Sequence, residues 1–522
     1  MSLDVGIESI FCLILITLSM ILSVYLPKYK IHYFHESGVI ILIGIGLGAF
    51  MDGIRHPLSR FSSDIFFDFM LPFLILAAGF NMKRRRFFRN IGPIFLLGII
   101  GTLICFVLIA AMAYAFSEWG FINHDGTKYL SPSEVMALGA VLSSSDVVCA
   151  LALVEESKTP KLHSILFGES VINDAVGILL VNVVKTVSIS NINATEVFTF
   201  IGTFLYVSIT SILMGAVFGL IASFMTKVLY DLRDEPSKSI ALQFYISILG
   251  YMIAKAIDLS AVIVLLVCGI ISGHYAWYNL SRTSRTAVTN SFQFIGDASE
   301  ALVFAYLGIS AFTYKEEGIE WNYIIAVSGA TIVSRLIAVF GLIWIVQLLS
   351  GGKFKMSVGA ISVIWMGGII RGAVSFALSL DLDFSHKDVL RITVLGVVIG
   401  TTLVFGTVLP LWVRWIKPDE GNDDRGMEIK DDDLSRSITG RKSVFLAQDE
   451  TKTYKNWVHK MWRTIDDKYI KPWLIHKDAL EEVKKAKANL AAKNLVLKDD
   501  NDTIPEVSEY SLHSNGSYRE MQ

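Results

Sequence analysis

The stretch His163-Ser164-Ile165-Leu166-Phe167-Gly168-Glu169-Ser170-Val171-Ile172-Asn173-Asp174-Ala175-Val176-Gly177-Ile178-Leu179-Leu180 is apolar enough to lie inside a membrane, yet it carries two carboxylates near its middle. An ionisable side chain at the centre of a bilayer costs about 2.5–3.5 kcal/mol or more, so two in one span demand a reason. Helical spacing supplies one. Ser170 and Asp174 are one turn apart and share a face, and Glu169 and Asn173 form a second such pair beside them. The four make a compact set of hard oxygen ligands, suited to a small cation or a proton.

The rest of the chain fits a membrane setting. Of its 522 residues 53% are hydrophobic and 18% charged, against about 25% charged in soluble domains. The charges are sparse up to about Lys417 and dense beyond it, which predicts a polytopic membrane domain followed by a polar tail. The net charge of −2 points to no class of partner and gives no sign of nucleic-acid binding. Cys12, Cys105, Cys149 and Cys268 all fall in apolar runs and read as core residues, not as disulfides or a metal site. The start, Met1 to Glu8, is acidic, unlike the basic n-region of a secretory signal, so the first apolar run reads as a retained helix.

Apolar segments run at 5–26, 37–52, 63–80, 92–116, 132–153, 162–187, 196–226, 239–257, 259–273, 287–313, 321–349, 356–380 and 389–415. They predict an all-α protein with about thirteen transmembrane helices. Only Asp258-Leu259-Ser260 separates the eighth from the ninth. The basic loops place the cytoplasmic side: Lys83 to Arg89, Lys158 with Lys161, and Arg282 with Arg285 all fall there by parity. The loops from Glu118 to Glu134 and at Lys315-Glu316-Glu317 fall outside. The N-terminus is then outside or lumenal and the C-terminus cytoplasmic. Asn193-Ala194-Thr195 becomes an outer-side glycosylation candidate, whereas Asn279-Leu280-Ser281 and Asn515-Gly516-Ser517 fall inside. In the tail, residues 416–522, the acidic part 418–450 reads as disordered. Residues 453–496 read as an amphipathic helix, with Trp457, Met461, Trp462, Ile465, Tyr469 and Ile470 among Lys and Arg, fit to meet lipid or a regulatory protein.

Further polar residues lie at depth. The fifth segment contains Ser143-Ser144-Ser145-Asp146, whose hydroxyls compete with the helix ladder and favour unwinding. The twelfth contains Gly367-Gly368-Ile369-Ile370-Arg371-Gly372, three glycines around a buried arginine. Interrupted helices at corresponding places in two halves point to a transporter's midplane site. Arg371 keeps its proton and needs acidic or carbonyl partners; the candidate acids are Glu169, Asp146 and Glu300. Arg335 in the eleventh segment reads as a structural pairing residue, Gly44 to Gly48 as close helix packing, and Asp68 and Lys255 as side chains reaching for a helix end.

These residues resemble the sodium/proton exchangers, the electroneutral cation/proton antiporters. Gly168 to Ala175 looks like their Glu-Ser-x-x-Asn-Asp motif, and Arg371-Gly372-Ala373-Val374-Ser375-Phe376-Ala377-Leu378 is similar to their arginine motif. Phe66 to Thr102, Cys268-Gly269-Ile270 with His274-Tyr275 and Asn279-Leu280-Ser281, and Ser299-Glu300 with Gly308 resemble further family regions, over residues 10–415 in all. Trp457 to His476 resembles the segment after the last helix in the endosomal and Golgi branch. Two positions depart from the pattern. Val147 follows Asp146 where the family usually has proline, and Ala77 stands where many members carry an acid or histidine.

The resemblance implies two inverted repeats with crossed, interrupted helices 5 and 12. A core of residues 92–187 and 321–415 slides against a dimerisation part, 5–80 and 196–313, in a homodimer. It implies exchange of Na⁺ or K⁺ for H⁺ with no cofactor, in an endosomal, Golgi or plasma membrane. Asp174 is the shared site, with Ser170, Asp146, Ser145 and Asn173 around the ion and Glu169, Arg371 and Glu300 as the supporting charge network. An uncharged Asn173 favours a one-for-one cycle. Two other classes are open to these residues: an intramembrane aspartyl protease using Asp146 and Asp174, and a transport-inactive sensor or scaffold.

Overall fold

The computed structural model describes residues 13–18, 20–22, 25, 36–53, 63–122, 130–154, 159–187, 194–313, 320–349, 356–416 and 464–481. No strand occurs among the described residues. The helices are α1 (Glu36–Gly53), α2 (Ser63–Asn81), α3 (Ile91–Glu118), α4 (Pro132–Ser143), α5 (Val148–Leu153), α6 (Pro160–Thr186) and α7 (Ala194–Val228). They continue as α8 (Pro236–Ala256), α9 (Ala261–Asn279), α10 (Arg282–Thr313), α11 (Trp321–Leu349), α12 (Val358–Gly367), α13 (Ala373–Leu380) and α14 (Lys387–Ile416). Among the described residues, 9 helices are long and apolar enough to cross a membrane. The chain is an all-α, multi-pass membrane protein. The predicted first helix is helical at 13–18, 20–22 and 25, and its remaining residues lie outside the described ones, as do Asn193, Lys158, the loop at 315–317, Asn515, and 418–450 of the tail.

Local sequence sets the helix boundaries. Pro132, Pro160 and Pro236 open α4, α6 and α8, where a missing N–H costs nothing. Ser131 and Glu134 close a reciprocal capping box on α4. The turn between α8 and α9 holds Asp258 at φ 56°, a left-handed conformation that a short polar side chain tolerates. The eighth and ninth segments are therefore separate helices. The fifth and twelfth predicted spans each appear as two short helices: α4 and α5 are parted by Ser144–Val147, and α12 and α13 by Gly368–Gly372.

The most extensive helix contacts fall into two groups, joined by smaller ones between α6 and α7, α10 and α13, and α1 and α14. In one, α3 lies on α4 and α11, α6 on α4, and α14 on α11, α12 and α13. In the other, α7 lies on α9, α8 on α7 and α9, and α10 on α1 and α2. Gly44 and Gly308 bring α1 and α10 into backbone contact. A Cβ on Gly308 would sit 2.8 Å from the Gly44 Cα, and one on Gly48 would sit 3.0 Å from the Phe312 ring, so Gly44 and Gly48 serve close packing while Gly46 does not. Three turns among the described residues are π-helical: Phe66–Met70 in α2, Leu96–Gly101 in α3 and Asp466–Ile470 in the tail. Asp68 and Lys255 do not reach separately for a helix end; they pair with each other across α2 and α8. Cys105 and Cys268 are buried free thiols.

The described part of the tail, 464–481, docks on the second set. Asn279, at the end of α9, donates to the Leu474 carbonyl at 2.9 Å and accepts from the His476 amide at 2.9 Å. Tyr275 donates to Asp466 at 2.7 Å, and Lys227 of α7 donates to the carbonyls of Pro472 and Trp473. Trp473 stacks on Phe224 and His476 on Tyr230. Leu474 and Ile475 are buried. Of the amphipathic stripe expected over 453–496, Ile465 and Tyr469 stay exposed and the docking is made by Asp466 and by Pro472 to His476; Trp457, Met461 and Trp462 lie outside the described residues.

Candidate functional site

The two breaks cross each other. The Asp146 amide donates to the Ile370 carbonyl at 2.9 Å, joining one unwound segment to the other. Serine and glycine account for the unwinding: Ser144 is extended (φ −66°, ψ 136°), as is Gly372 (φ −92°, ψ 171°). The break at Ser144–Val147 forms without the usual proline. Gly372 is required by its neighbour, since a Cβ there would lie 2.9 Å from the Cβ of Asp146 and 3.2 Å from its Oδ2.

Arg371 is fully buried and holds the crossing from within. Its Nη1 donates to the carbonyls of Ser143 and Ser144 at 3.1 and 2.8 Å. Those carbonyls end α4, where the helix dipole is negative, so a cation is favoured there. Thr401 and Thr402 of α14 bind its backbone amide and carbonyl at 3.3 and 2.9 Å. Of the two kinds of partner open to Arg371, the structure supplies carbonyls.

Glu169 goes to the other arginine. It forms an ion pair with Arg335 of α11, with side chains 0% and 1% exposed. The guanidinium lies where a Cβ on Gly368 would be, so that glycine makes room for it.

Beside the crossing runs α6. Asp174 is half-buried among buried neighbours, and its Oδ1 accepts from the Ser144 hydroxyl at 2.5 Å. Asn173 is fully buried and donates to the Ser145 hydroxyl at 2.7 Å. Ser170 is buried one turn before Asp174, on the same side. Gly177 passes Ser144 so closely that a Cβ would meet the serine Cβ at 3.0 Å. Asp146 is half-buried beside Gly372. Glu300 is half-buried on α10, a helix that packs against α13. Ala77 faces Gly296 of α10, where a glycine Cβ would lie 2.8 Å from its own, so that position is filled by helix contact.

Sequence reasoning names Arg335 as a pairing residue without its partner and Ser144 only as part of the break, and it passes over Thr102. Ser144 supplies a side chain as well as a carbonyl, Arg335 is the partner of Glu169, and Thr102 of α3 reaches Asn173 at 3.1 Å. The small residues Gly98, Gly101 and Thr102, set among Leu and Ile, are the available signal for the last.

A membrane bundle with two broken helices crossing beside an oxygen-lined acidic span is the framework of a secondary transporter. The family model for "Sodium/hydrogen exchanger, transmembrane" matches residues 14–415, and the chain belongs to that family of cation/proton antiporters. It is 30% identical over 485 residues to sodium/hydrogen exchanger 1 of Arabidopsis thaliana, covering 84% of this chain and 87% of that one. It is also 30% identical over 426 residues to sodium/hydrogen exchanger 9 of Equus caballus, covering 80% and 64%. Its fold resembles the sodium proton antiporter MjNhaP1 from Methanocaldococcus jannaschii, with a TM-score of 0.59 at 16% identity over 79% of this chain and 98% of that one.

Proposed function

We propose that this protein exchanges Na⁺ (or K⁺) for H⁺ one for one, with Asp174 as the site the two share. The observation that carries this reading is the position of Asp174: a half-buried carboxylate held by Ser144 at the crossing of two broken helices. A bare carboxylate in a low-dielectric passage is costly, and either a cation or a proton removes that cost. One carboxylate cannot hold both, so competition alone couples the two flows. Asn173 adds no second charge, and its amide is committed to Ser145 and Thr102. Ser170, Ser145, Asp146 and the break itself offer further oxygens to a cation. Arg371 and the Glu169–Arg335 pair hold the helices around them.

The two groups of helix contacts support alternating access, in which α3–α6 with α11–α14 shift against α1, α2 and α7–α10 and a second copy pairs through the latter group. The end bearing Arg282 and the docked tail faces the cytoplasm, and the N-terminus lies outside or in a lumen. Tail resemblance favours an endosomal or Golgi-type membrane.

The test is reconstitution of the full chain in liposomes with an imposed pH gradient. Addition of Na⁺ or K⁺ is expected to collapse the gradient without generating a voltage, and comparing the two cations names the cargo. Asp174→Asn is expected to abolish the response while leaving the protein folded. Retained exchange in that variant would overturn the assignment of the site.

A further inference from the structure

We propose that Thr102 is a positioning residue for cation binding: its hydroxyl fixes the amide of Asn173 and, through it, the hydroxyl of Ser145. The inference rests on Asp174 and its neighbours being the cation site.

The local geometry is unusual in three respects. Residues Leu96–Gly101 form a π-helical turn, and Thr102 follows it directly. Such turns inside α-helices are frequent at functional sites because they loosen the hydrogen-bond ladder and re-aim a residue. Gly98 within the turn faces α6, where a Cβ would lie 2.9 Å from Ile172, so α3 and α6 touch there. Thr102 then reaches across. Its Oγ1 lies 2.6 Å from the Gly98 carbonyl and 3.1 Å from Asn173 Oδ1, with no exposure to solvent.

The consequence lies in the shape of an amide. The two ends of an asparagine side chain are alike in size, and only hydrogen bonding decides which way round it sits. Thr102 shares its single hydroxyl hydrogen between the Gly98 carbonyl and Asn173 Oδ1, and this share turns the amide oxygen toward α3 and the NH₂ toward the broken helix. There it donates to Ser145 Oγ at 2.7 Å. Ser145 stands in the unwound segment, where no helix ladder fixes it, next to the serine that binds Asp174. Asn173 therefore sets how Ser145 presents its oxygen, and Thr102 sets Asn173. With valine at 102, Asn173 Oδ1 would be buried without this donor, and the amide would be free to reverse and turn Ser145 with it.

The experiment uses the full chain in proteoliposomes and measures exchange against concentration of the transported cation, Na⁺ or K⁺. Thr102→Val is expected to raise KM about three- to tenfold, the worth of one hydrogen bond, with maximal rate within about twofold. Thr102→Ser is expected to restore it. If Thr102 acts through Ser145, Thr102→Val combined with Ser145→Ala will be no worse than Ser145→Ala alone. Should the valine variant be unstable, Thr102→Ala removes the hydroxyl without adding bulk and is read in the same way. An unchanged KM, penalties that multiply in the double variant, or failure of serine to rescue would each overturn the inference. Those results beside an inactive Asp174→Asn would leave the site standing, whereas exchange by Asp174→Asn would remove the site itself.

Discussion

Glu169 and Arg335 meet between α6 and α11 as an ion pair sealed from solvent, one carboxylate oxygen on one guanidinium nitrogen. The second oxygen, Oε2, has no hydrogen-bond partner among the described residues. A pair of this kind gains little over well-packed apolar side chains, but losing one member strands a buried charge. Glu169→Gln is therefore expected to destabilise the protein by about 3–5 kcal/mol. Glu169→Leu with Arg335→Met is expected to recover much of that loss. Thermal unfolding in detergent, followed by tryptophan fluorescence, compares the two. Equal losses in both would show that the charge pair itself, not the stranded charge, is what matters.

The glycines of the second break answer to particular neighbours. Gly372→Ala would press on Asp146, and Gly368→Ala would displace the guanidinium of Arg335. Each is expected to cost about 1–3 kcal/mol, the usual result of overfilling a packed interior. Gly46→Ala in α1, which has nothing within 4 Å of its added Cβ, serves as the control and should leave the unfolding temperature unchanged or slightly raised. Unfolding temperatures of the three variants decide the matter.

Ser144 contributes twice, its carbonyl to Arg371 and its hydroxyl to Asp174. Ser144→Ala removes only the hydroxyl. The fold should survive, while apparent affinity for the transported cation should fall about tenfold or more, the scale of a hydrogen bond to a charged group. Ser144→Thr keeps an oxygen there and should bind nearly as the parent does. Cation titrations of exchange in liposomes measure both, and an alanine variant with parental affinity would contradict the role.

Asn279 fastens the tail. Asn279→Ala loses the bonds to Leu474 and His476. Amide hydrogen exchange over residues 471–480 is expected to rise by about tenfold or more while α3 and α6 stay as protected as before. Unchanged protection would mean that the stacking of Trp473 and His476 suffices to hold the segment.

How far the sequence reveals this molecule depends on the range of the interaction concerned. Bilayer thickness imposes long apolar runs, so α3, α6, α7 and α14 stand out. The breaks are also visible, because Ser143–Ser145 and Gly367–Gly372 weaken a helix through their own chemistry. Partner choice is not. That a buried Glu169 needs a cation follows from its residue type, but nothing in the chain says that Arg335 meets it while Arg371 turns to the carbonyls of Ser143 and Ser144. Thr102 is hidden for another reason: one hydroxyl in an apolar run reads as packing until the residue opposite it is known. The docking of the tail rests largely on the backbone carbonyls of Pro472, Trp473 and Leu474, which carry no mark in the sequence.

The docked tail has one further consequence. Ile416 ends α14 in one packing set, and Thr464 begins a segment fastened to α7 and α9 in the other. The chain thus leaves one group of helices at Ile416 and is tied to the other from Thr464 onward. A single change at Asn279 or Leu474 would cut that tie at its bearing.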